Sequence, residues 1–385
     1  MRNIFVLVFI LFSTCVFAQK PAADSAGQYI PLLKGKKIGF TGNHTSLVGN
    51  KHLLDVLIEN DVDVVKIYAP EHGFRGTAGA GELIDNATDS KTGLPIISIY
   101  GNNKKPNKEQ LSGIDCMVFD MQDVGTRFFT YLSTMHYVME ACAENGIGVM
   151  VLDRPNPNGF YIDGAILEPD CKSFVGMHKI PVVHGMTLGE LAQMINGEGW
   201  LANGIKCDLT VIPCINYTHH SRYALPVRPS PNLPDMQAIY LYPTLCFLEG
   251  YPVSVGRGTE FPFKVFGTPA FKGNKKYTFT FTPVTSDGKI KPLYEGEVCY
   301  GKDFRNIDTE NINEIDLSLL IDVYNDYKNK DKFFKSIFPL LAGTKKLQKQ
   351  IAEGKTPAEI RATWQPGLEE FKLKRKKYLL YPDFY

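Results

Sequence analysis

Residues 68–82 carry the chain's densest group of side chains able to do chemistry, set among glycines. They follow an apolar run, Val62–Tyr68, that has the composition of a buried parallel strand. Open α/β sheets bind ligands on loops at the carboxyl ends of strands. We therefore interpret this loop as a reaction site, with Glu71 as the catalytic acid or base. Three further side chains of the loop are predicted to bind substrate: His72, Arg75 and Glu82.

Polar side chains also follow two later apolar runs. Residues 120–127 read Asp-Met-Gln-Asp-Val-Gly-Thr-Arg, and an Asp-Arg pair stands at 153–154. Because the carboxyl ends of parallel strands meet at one sheet edge, these residues are expected beside Glu71. Asp120 and Asp123 are the predicted catalytic partners, although Asp120 could simply be buried and Asp123 could cap a helix. The substrate-binding residues predicted here are Gln122, Arg127 and Arg154.

Two later loops place polar groups between rigid prolines or permissive glycines. They span residues 228–234 and 255–262. Loops held in this way often carry ligand contacts, although plain domain packing is the alternative. If they are functional, they close the pocket from the opposite side and contribute Asn232 and Glu260 to substrate binding.

Other kinds of site lack their signatures. The glycine-rich run 76–81 has neither the G-x-G-x-x-G order nor a P-loop lysine, so it favours a loop that frames a pocket. No H-E-x-x-H and no G-x-S-x-G sequence occurs. We therefore predict neither a metal nor a cofactor.

Composition excludes several classes of protein. The chain has 385 residues, 44% of them hydrophobic and 22% charged, with a formal net charge of +1. A nucleic-acid binder or a polybasic membrane sensor needs clustered positive charge, so neither is expected. No segment is long and apolar enough to predict a membrane span. The length predicts two domains.

The first 18 residues have the pattern of a secretory signal peptide. Arg2 precedes the apolar stretch Ile4–Phe12, and Val-Phe-Ala at 16–18 forms a small-residue cleavage site. A lipoprotein signal with the lipid on Cys15 is the weaker alternative. The mature protein is therefore expected to be exported to a bacterial periplasm. It would keep seven cysteines, an odd number that rules out complete pairing and leaves a single disulfide open.

The fold class expected is α/β. Strands alternating with helices predict a Rossmann-like, mostly parallel sheet domain over residues 25–228. A smaller α+β C-terminal domain is predicted over 229–385, with the active-site cleft between the two. Its last helices are predicted as separate elements, 356–364 and 366–378, the second of which begins at Pro366.

Four motifs together resemble a known family. They lie at residues 70–76, 120–127, 153–157 and 228–232, and in this order they resemble the exo-β-N-acetylmuramidases of the NamZ type, formerly a domain of unknown function. The resemblance implies a glycosidase that removes N-acetylmuramic acid from the non-reducing ends of peptidoglycan fragments, muropeptides or disaccharides. It also implies that Glu71, in the Pro-Glu-His-Gly motif, is the catalytic residue.

The residues suit that chemistry. Glycoside cleavage needs an acid at the leaving oxygen and usually a second group on the other face of the sugar. The candidate second carboxylates are Asp120, Asp123, Glu82 and Glu260. A separation of about 5 Å from Glu71 would indicate retention and about 6.5–9.5 Å inversion, whereas participation by the substrate's acetamido group would need no second carboxylate.

Arginine binds carboxylates in a bidentate manner, and N-acetylmuramic acid carries a lactyl carboxylate. Arg75, Arg127 and Arg154 are therefore candidates for selecting this sugar over N-acetylglucosamine. Two other functions stay open, a cell-wall esterase or amidase and a non-catalytic periplasmic sugar-binding protein.

Overall fold

A computed structural model describes residues 18–74, 87–285 and 291–385 of the chain. The predicted signal peptide, almost all of it before residue 18, therefore stays a prediction. Arg75 and Glu82 also lie outside the described residues, and so their roles stay predictions too.

The chain alternates strands and helices. The strands are β1 (Lys37–Gly42), β2 (Leu47–Val48), β3 (Lys51–His52), β4 (Asp63–Ala69), β5 (Ala87–Thr88), β6 (Pro95–Ser98), β7 (Cys116–Asp120), β8 (Gly148–Leu152), β9 (Leu209–Ile212), β10 (Val265–Thr268), β11 (Phe279–Phe281) and β12 (Cys299–Asp303). The α-helices are α1 (Ala26–Leu33), α2 (Leu53–Glu59), α3 (Tyr131–Glu144), α4 (Leu188–Gly197), α5 (Met236–Leu245), α6 (Leu317–Asp326), α7 (Phe338–Ala342), α8 (Lys346–Ala352) and α9 (Pro357–Arg375).

The first domain is built on a seven-stranded sheet in the order β5-β6-β4-β1-β7-β8-β9. All pairs are parallel except the edge pair β5–β6. Every residue of β7 is buried, as expected for a strand covered on both faces. The prediction of a mostly parallel sheet is confirmed. The strand order reverses direction at β1, and open α/β sheets place ligands at such a reversal.

The second domain holds a three-stranded antiparallel sheet, β10-β12-β11, and the helices α6–α9. This part packs back against the first domain. Arg361 of α9 pairs with Asp163 at 2.7 Å, and the Tyr381 hydroxyl donates to Asp153 at 2.5 Å. One hydrophobic core runs from Tyr68 to Phe371 and so includes residues of both domains. The α+β character predicted for the C-terminal part is confirmed.

The start of α4 and the course of α9 show what the local sequence can and cannot determine. Thr187 and Glu190 form a capping box before α4, and their spacing of three residues is the sequence signature of such a box. The split at Pro366 is wrong, because α9 continues through it. Its buried side chains Ile360, Trp364, Leu368 and Phe371 follow helical spacing. Their packing outweighs the hydrogen bond that an internal proline removes.

The seven cysteines from Cys116 to Cys299 are all free and buried, so no disulfide forms among them. In the described ranges, no helix combines the length and the apolar character needed to cross a bilayer.

Candidate active site

Glu71 lies in a tight turn directly after β4. The turn is closed by the Gly73 amide, which donates to the Pro70 carbonyl at 3.0 Å. His72 adopts a φ of 70° and Gly73 a φ of 75°. A left-handed backbone costs a side-chain-bearing residue about 1 kcal/mol or more, and such strain concentrates at functional sites. The turn brings the Glu71 carboxyl over the carboxyl-terminal edge of the sheet.

Both carboxyl oxygens of Glu71 contact neutral hydroxyls from segments that follow two other strands of the sheet. The Tyr100 hydroxyl, two residues after β6, donates to Oε1 at 2.9 Å. The Thr130 hydroxyl, between β7 and α3, donates to Oε2 at 2.8 Å. Burial raises the pKa of Tyr100 and the nearby charge of Glu71 raises it further, so this phenol keeps its proton at physiological pH. Segments that follow the three parallel strands β4, β6 and β7 therefore fix one carboxyl group.

Glu71 lies on the wall of a cavity of about 150 Å³ to which both domains contribute. The first domain supplies Glu71, His72 and residues 128–131, and later segments supply Ser230, Asn232, Glu249, Arg257 and Ile337. The predicted cleft between the two domains is confirmed. Sites for drug-sized ligands measure roughly 300–1,000 Å³, so a cavity of this smaller volume can hold only one end of a substrate.

His72 links the two motif loops. Its side chain is buried, and its Nε2 lies 3.3 Å from the Ser230 hydroxyl in the loop 228–234. The amide of Asn232 donates to the same hydroxyl oxygen at 3.3 Å. His72 and the backbone of Asn232 thus share Ser230 as a partner, and both residues line the cavity, as the sequence predicts.

Asp120 and Arg154 bind each other. Arg154 donates from Nε and Nη2 to the two Asp120 oxygens at 2.5 and 2.8 Å, and from Nη2 to the Leu47 carbonyl at 3.0 Å. The side chains are 0% and 2% exposed. Neither residue lines the cavity. The structure therefore places this pair in the sheet interior rather than against substrate.

Asp123 and Gln122 do not line the cavity either. Asp123 Oδ1 accepts the Gly125 amide at 2.7 Å, while Oδ2 is buried with no hydrogen-bond partner among the described residues. Burial raises the pKa of Asp123 to about 7. The Gln122 amide donates to the carbonyls of Asp123 and Pro155 at 2.8 Å each. These contacts fix the loop after β7, and neither side chain lines the cavity.

Arg127 is buried among carbonyl groups. It donates to those of Ala165, Ile180 and Leu341 at 2.8, 2.7 and 3.2 Å, and thereby ties α7 to the first domain. Burial lowers its pKa to about 9. Glu260 is exposed, and neither residue lines the cavity. Their predicted contact with substrate is thus without support from this geometry.

The sequence did not single out several polar residues of this site, among them Ser230. Tyr100 and Thr130 bind Glu71, and Glu249 and Arg257 line the cavity together. The position of Tyr100 at the end of a predicted strand was a usable signal. Arg257 lies in the loop 255–262, for which the sequence predicts a ligand contact through Glu260 and not through Arg257.

A second and larger cavity, of about 450 Å³, lies between residues 165–169 and the helices α8 and α9. None of the predicted site residues lines it, and several of its rim lysines pair with glutamates, as in Lys346–Glu168 at 2.7 Å. The smaller cavity is the better candidate because it holds the turn after β4. Within residues 18–74, 87–285 and 291–385, no group of three His, Cys, Asp or Glu side chains is arranged to hold a metal.

A mostly parallel α/β sheet with a carboxyl group on a cavity wall after one of its strands defines an α/β protein that has its ligand site at the carboxyl edge of the sheet. Comparison with known proteins specifies the family. The model of the N-terminal part of exo-β-N-acetylmuramidase NamZ matches residues 38–237, and that of its C-terminal part matches residues 240–381. The chain belongs to the NamZ family of exo-β-N-acetylmuramidases.

Individual relatives are similar to this protein over most of its length. It is 39% identical over 380 residues to the peptidoglycan β-N-acetylmuramidase NamZ of Bacillus subtilis, covering 92% of this chain and 89% of the relative. The crystal structures of two DUF1343 family proteins from Bacteroides fragilis are also similar. One has a TM-score of 0.88 at 48% identity, covering 95% of this chain and all of that one. The other has a TM-score of 0.81 at 29% identity, covering 94% and 99%.

Proposed function

We propose that this protein is an exo-acting glycoside hydrolase that releases N-acetylmuramic acid from the non-reducing ends of peptidoglycan fragments, with Glu71 as general acid. The observation that carries the role of Glu71 is its place on the cavity wall, with one hydroxyl on each carboxyl oxygen. Family membership supports the reaction and the substrate.

The two hydroxyls suit a carboxyl group that changes its protonation state. A hydroxyl donates to a carboxylate and can accept from a protonated carboxyl group. Glu71 would give its proton to the glycosidic oxygen as the bond to the sugar breaks. The hydroxyls of Tyr100 and Thr130 would then donate to the carboxylate that remains, which lowers the energy of the developing charge.

The second catalytic group is not one of the two predicted aspartates, in our proposal. Asp120 is bound to Arg154, and Asp123 lies behind the wall. The other carboxylate on the described wall is Glu249, whose two oxygens accept from Arg257. Among the described residues, this arrangement favours participation by the substrate's own acetamido group, which needs no carboxylate nucleophile. Glu82, outside the described residues, stays the alternative predicted from the sequence.

The test uses a chromogenic β-N-acetylmuramide. The wild type should cleave it, and Glu71→Gln should lose activity by about 100-fold or more because the amide cannot donate a proton to the leaving oxygen. Glu59→Gln, which changes an exposed glutamate of α2, serves as the matched control. If Glu71→Gln keeps wild-type turnover, Glu71 is not the acid. If the wild type cleaves no muramide, the hydrolase assignment fails.

We also propose export to the periplasm. The support is the pattern of residues 1–18, and cell fractionation tests it. Periplasmic protein should begin at Gln19, whereas cytoplasmic protein that retains Met1 would contradict export.

A further inference from the structure

One arginine on the cavity wall has no role in the proton transfer. Arg257 comes from the second of the two later loops and lines the same cavity as Glu71. Of the three arginines expected from the sequence, the two that the structure describes do not reach this place. Arg127 and Arg154 are buried away from the cavity with carbonyl or carboxylate partners, and Arg75 lies outside the described residues.

The Arg257 side chain is held on one edge only. Its Nε donates to Glu249 Oε1 at 2.6 Å and its Nη2 to Oε2 at 3.3 Å. Within the described residues, Nη1 makes no hydrogen bond. A guanidinium group has five N–H donors, so a side-on pair with one carboxylate leaves the end formed by Nη1 and Nη2 for a second one.

The backbone around Arg257 is also fixed. Gly256 and Gly258 have φ values of 81° and 79°. A Cβ on Gly256 would lie 2.7 Å from Val265, and one on Gly258 would lie 2.7 Å from Pro292. The guanidinium lies 5.0 Å from the ring centre of Phe263, itself a cavity residue. Arg257 is therefore positioned before any ligand arrives, which reduces the entropy lost on binding.

Local charge favours an anion here. The negative charge of Glu249 is matched by Arg257, and the Lys335 ammonium lies 3.3 Å from the Glu249 carbonyl oxygen. These three side chains sum to one positive charge, to which Lys335 contributes from behind Glu249 without lining the cavity itself. The site is thus suited to a substrate with one carboxylate.

We infer that the Arg257 guanidinium binds the lactyl carboxylate of the terminal N-acetylmuramic acid and so selects this sugar over N-acetylglucosamine. The inference rests on the proposed function and assigns its sugar specificity to one residue. Glu249 acts as a positioning residue that orients the guanidinium. The lactyl group and the scissile oxygen stand on different ring carbons, so separate wall residues, Arg257 and Glu71, can hold the two ends of one sugar.

Three chromogenic substrates test this inference: the β-N-acetylmuramide, its lactyl methylamide and the β-N-acetylglucosaminide. Arg257→Gln should lower kcat/KM for the muramide by about 10- to 100-fold, the usual loss for a hydrogen bond between charged groups. Its kcat/KM for the other two substrates should match that of the wild type. Arg305→Gln is the matched control, because Arg305 pairs with Asp303 at 2.6 Å away from the cavity.

Folding is controlled separately. The variant Arg257→Gln/Glu249→Gln removes both charges of the pair, and it should show the same selective loss with wild-type melting behaviour. Equal losses on all three substrates, or a wild type that cleaves the methylamide as fast as the free acid, would overturn the inference and leave the hydrolase assignment standing. A wild type that cleaves none of the three would remove the proposed function, and the inference with it.

Discussion

The Tyr100 hydroxyl lies 2.9 Å from Oε1 of Glu71, although 29 residues separate them in the chain. The contact forms because β4 and β6 are parallel neighbours, so the residues that follow them meet at one edge of the sheet. Thr130 completes the arrangement at the other carboxyl oxygen.

Replacing Tyr100 by phenylalanine should lower kcat on the muramide by about 10- to 100-fold, because the carboxylate left after proton transfer loses a donor. The matched control is Tyr378→Phe, since Tyr378 donates to Glu198 at the same distance of 2.9 Å, outside the cavity. Steady-state kinetics measure both. If the two variants have the same kcat, the Tyr100 contact has no part in catalysis.

Removing one member of the buried Asp120–Arg154 pair should destabilise the fold. Asp120→Ala leaves Arg154 buried and unpaired, and we expect a loss of about 3–5 kcal/mol in the free energy of unfolding. Glu59→Ala breaks an exposed pair with Lys51 and should cost less than about 1 kcal/mol. Urea unfolding compares them. Similar small losses would contradict the structural role assigned to the pair.

Arg154→Lys should affect both sugars alike. Lysine cannot reproduce the two bonds from Nε and Nη2 to Asp120, so the variant should unfold at lower urea concentration. Because Arg154 does not line the cavity, KM for the muramide and for the glucosaminide should change by the same factor. A rise in KM confined to the muramide would restore the sequence-based expectation that Arg154 binds the lactyl group.

Asp123 should make stability depend on pH. The folded chain holds its proton more tightly than the unfolded chain, since burial raises the pKa from 3.8 to about 7. The stabilisation that protonated Asp123 gives the folded chain is complete below about pH 3.8 and is lost as the pH rises through about 7. Between pH 5 and pH 8 the loss is about 2–3 kcal/mol.

The measurement is urea unfolding of the wild type and of Asp123→Asn at both pH values. Asparagine does not titrate, so the variant should lose about 2–3 kcal/mol less than the wild type over this interval, whatever its stability at pH 5. Parallel pH profiles would show that Asp123 does not titrate in this range.

The alternation of apolar runs with helical stretches along the chain was enough to predict the parallel sheet. Apolar runs such as the one that became β7, separated by helical stretches, indicate a buried parallel sheet because no other common arrangement covers both faces of so many strands. The same logic placed Glu71 at a strand end. The helix break at Pro366 failed because local propensity yields to packing, and packing partners such as Ile166 and Gly367 lie far apart in sequence.

The sequence by itself determined the fold class, the turn that presents Glu71 and the family motifs. Only the tertiary structure decided which polar residues reach the cavity. Asp120 and Arg154 follow strands just as Glu71 does, yet they turn inward and bind each other. Arg257 arrives from a loop nearly 190 residues further along the chain. Side-chain direction at a strand end depends on neighbouring strands and on the second domain, and a linear sequence does not contain those contacts.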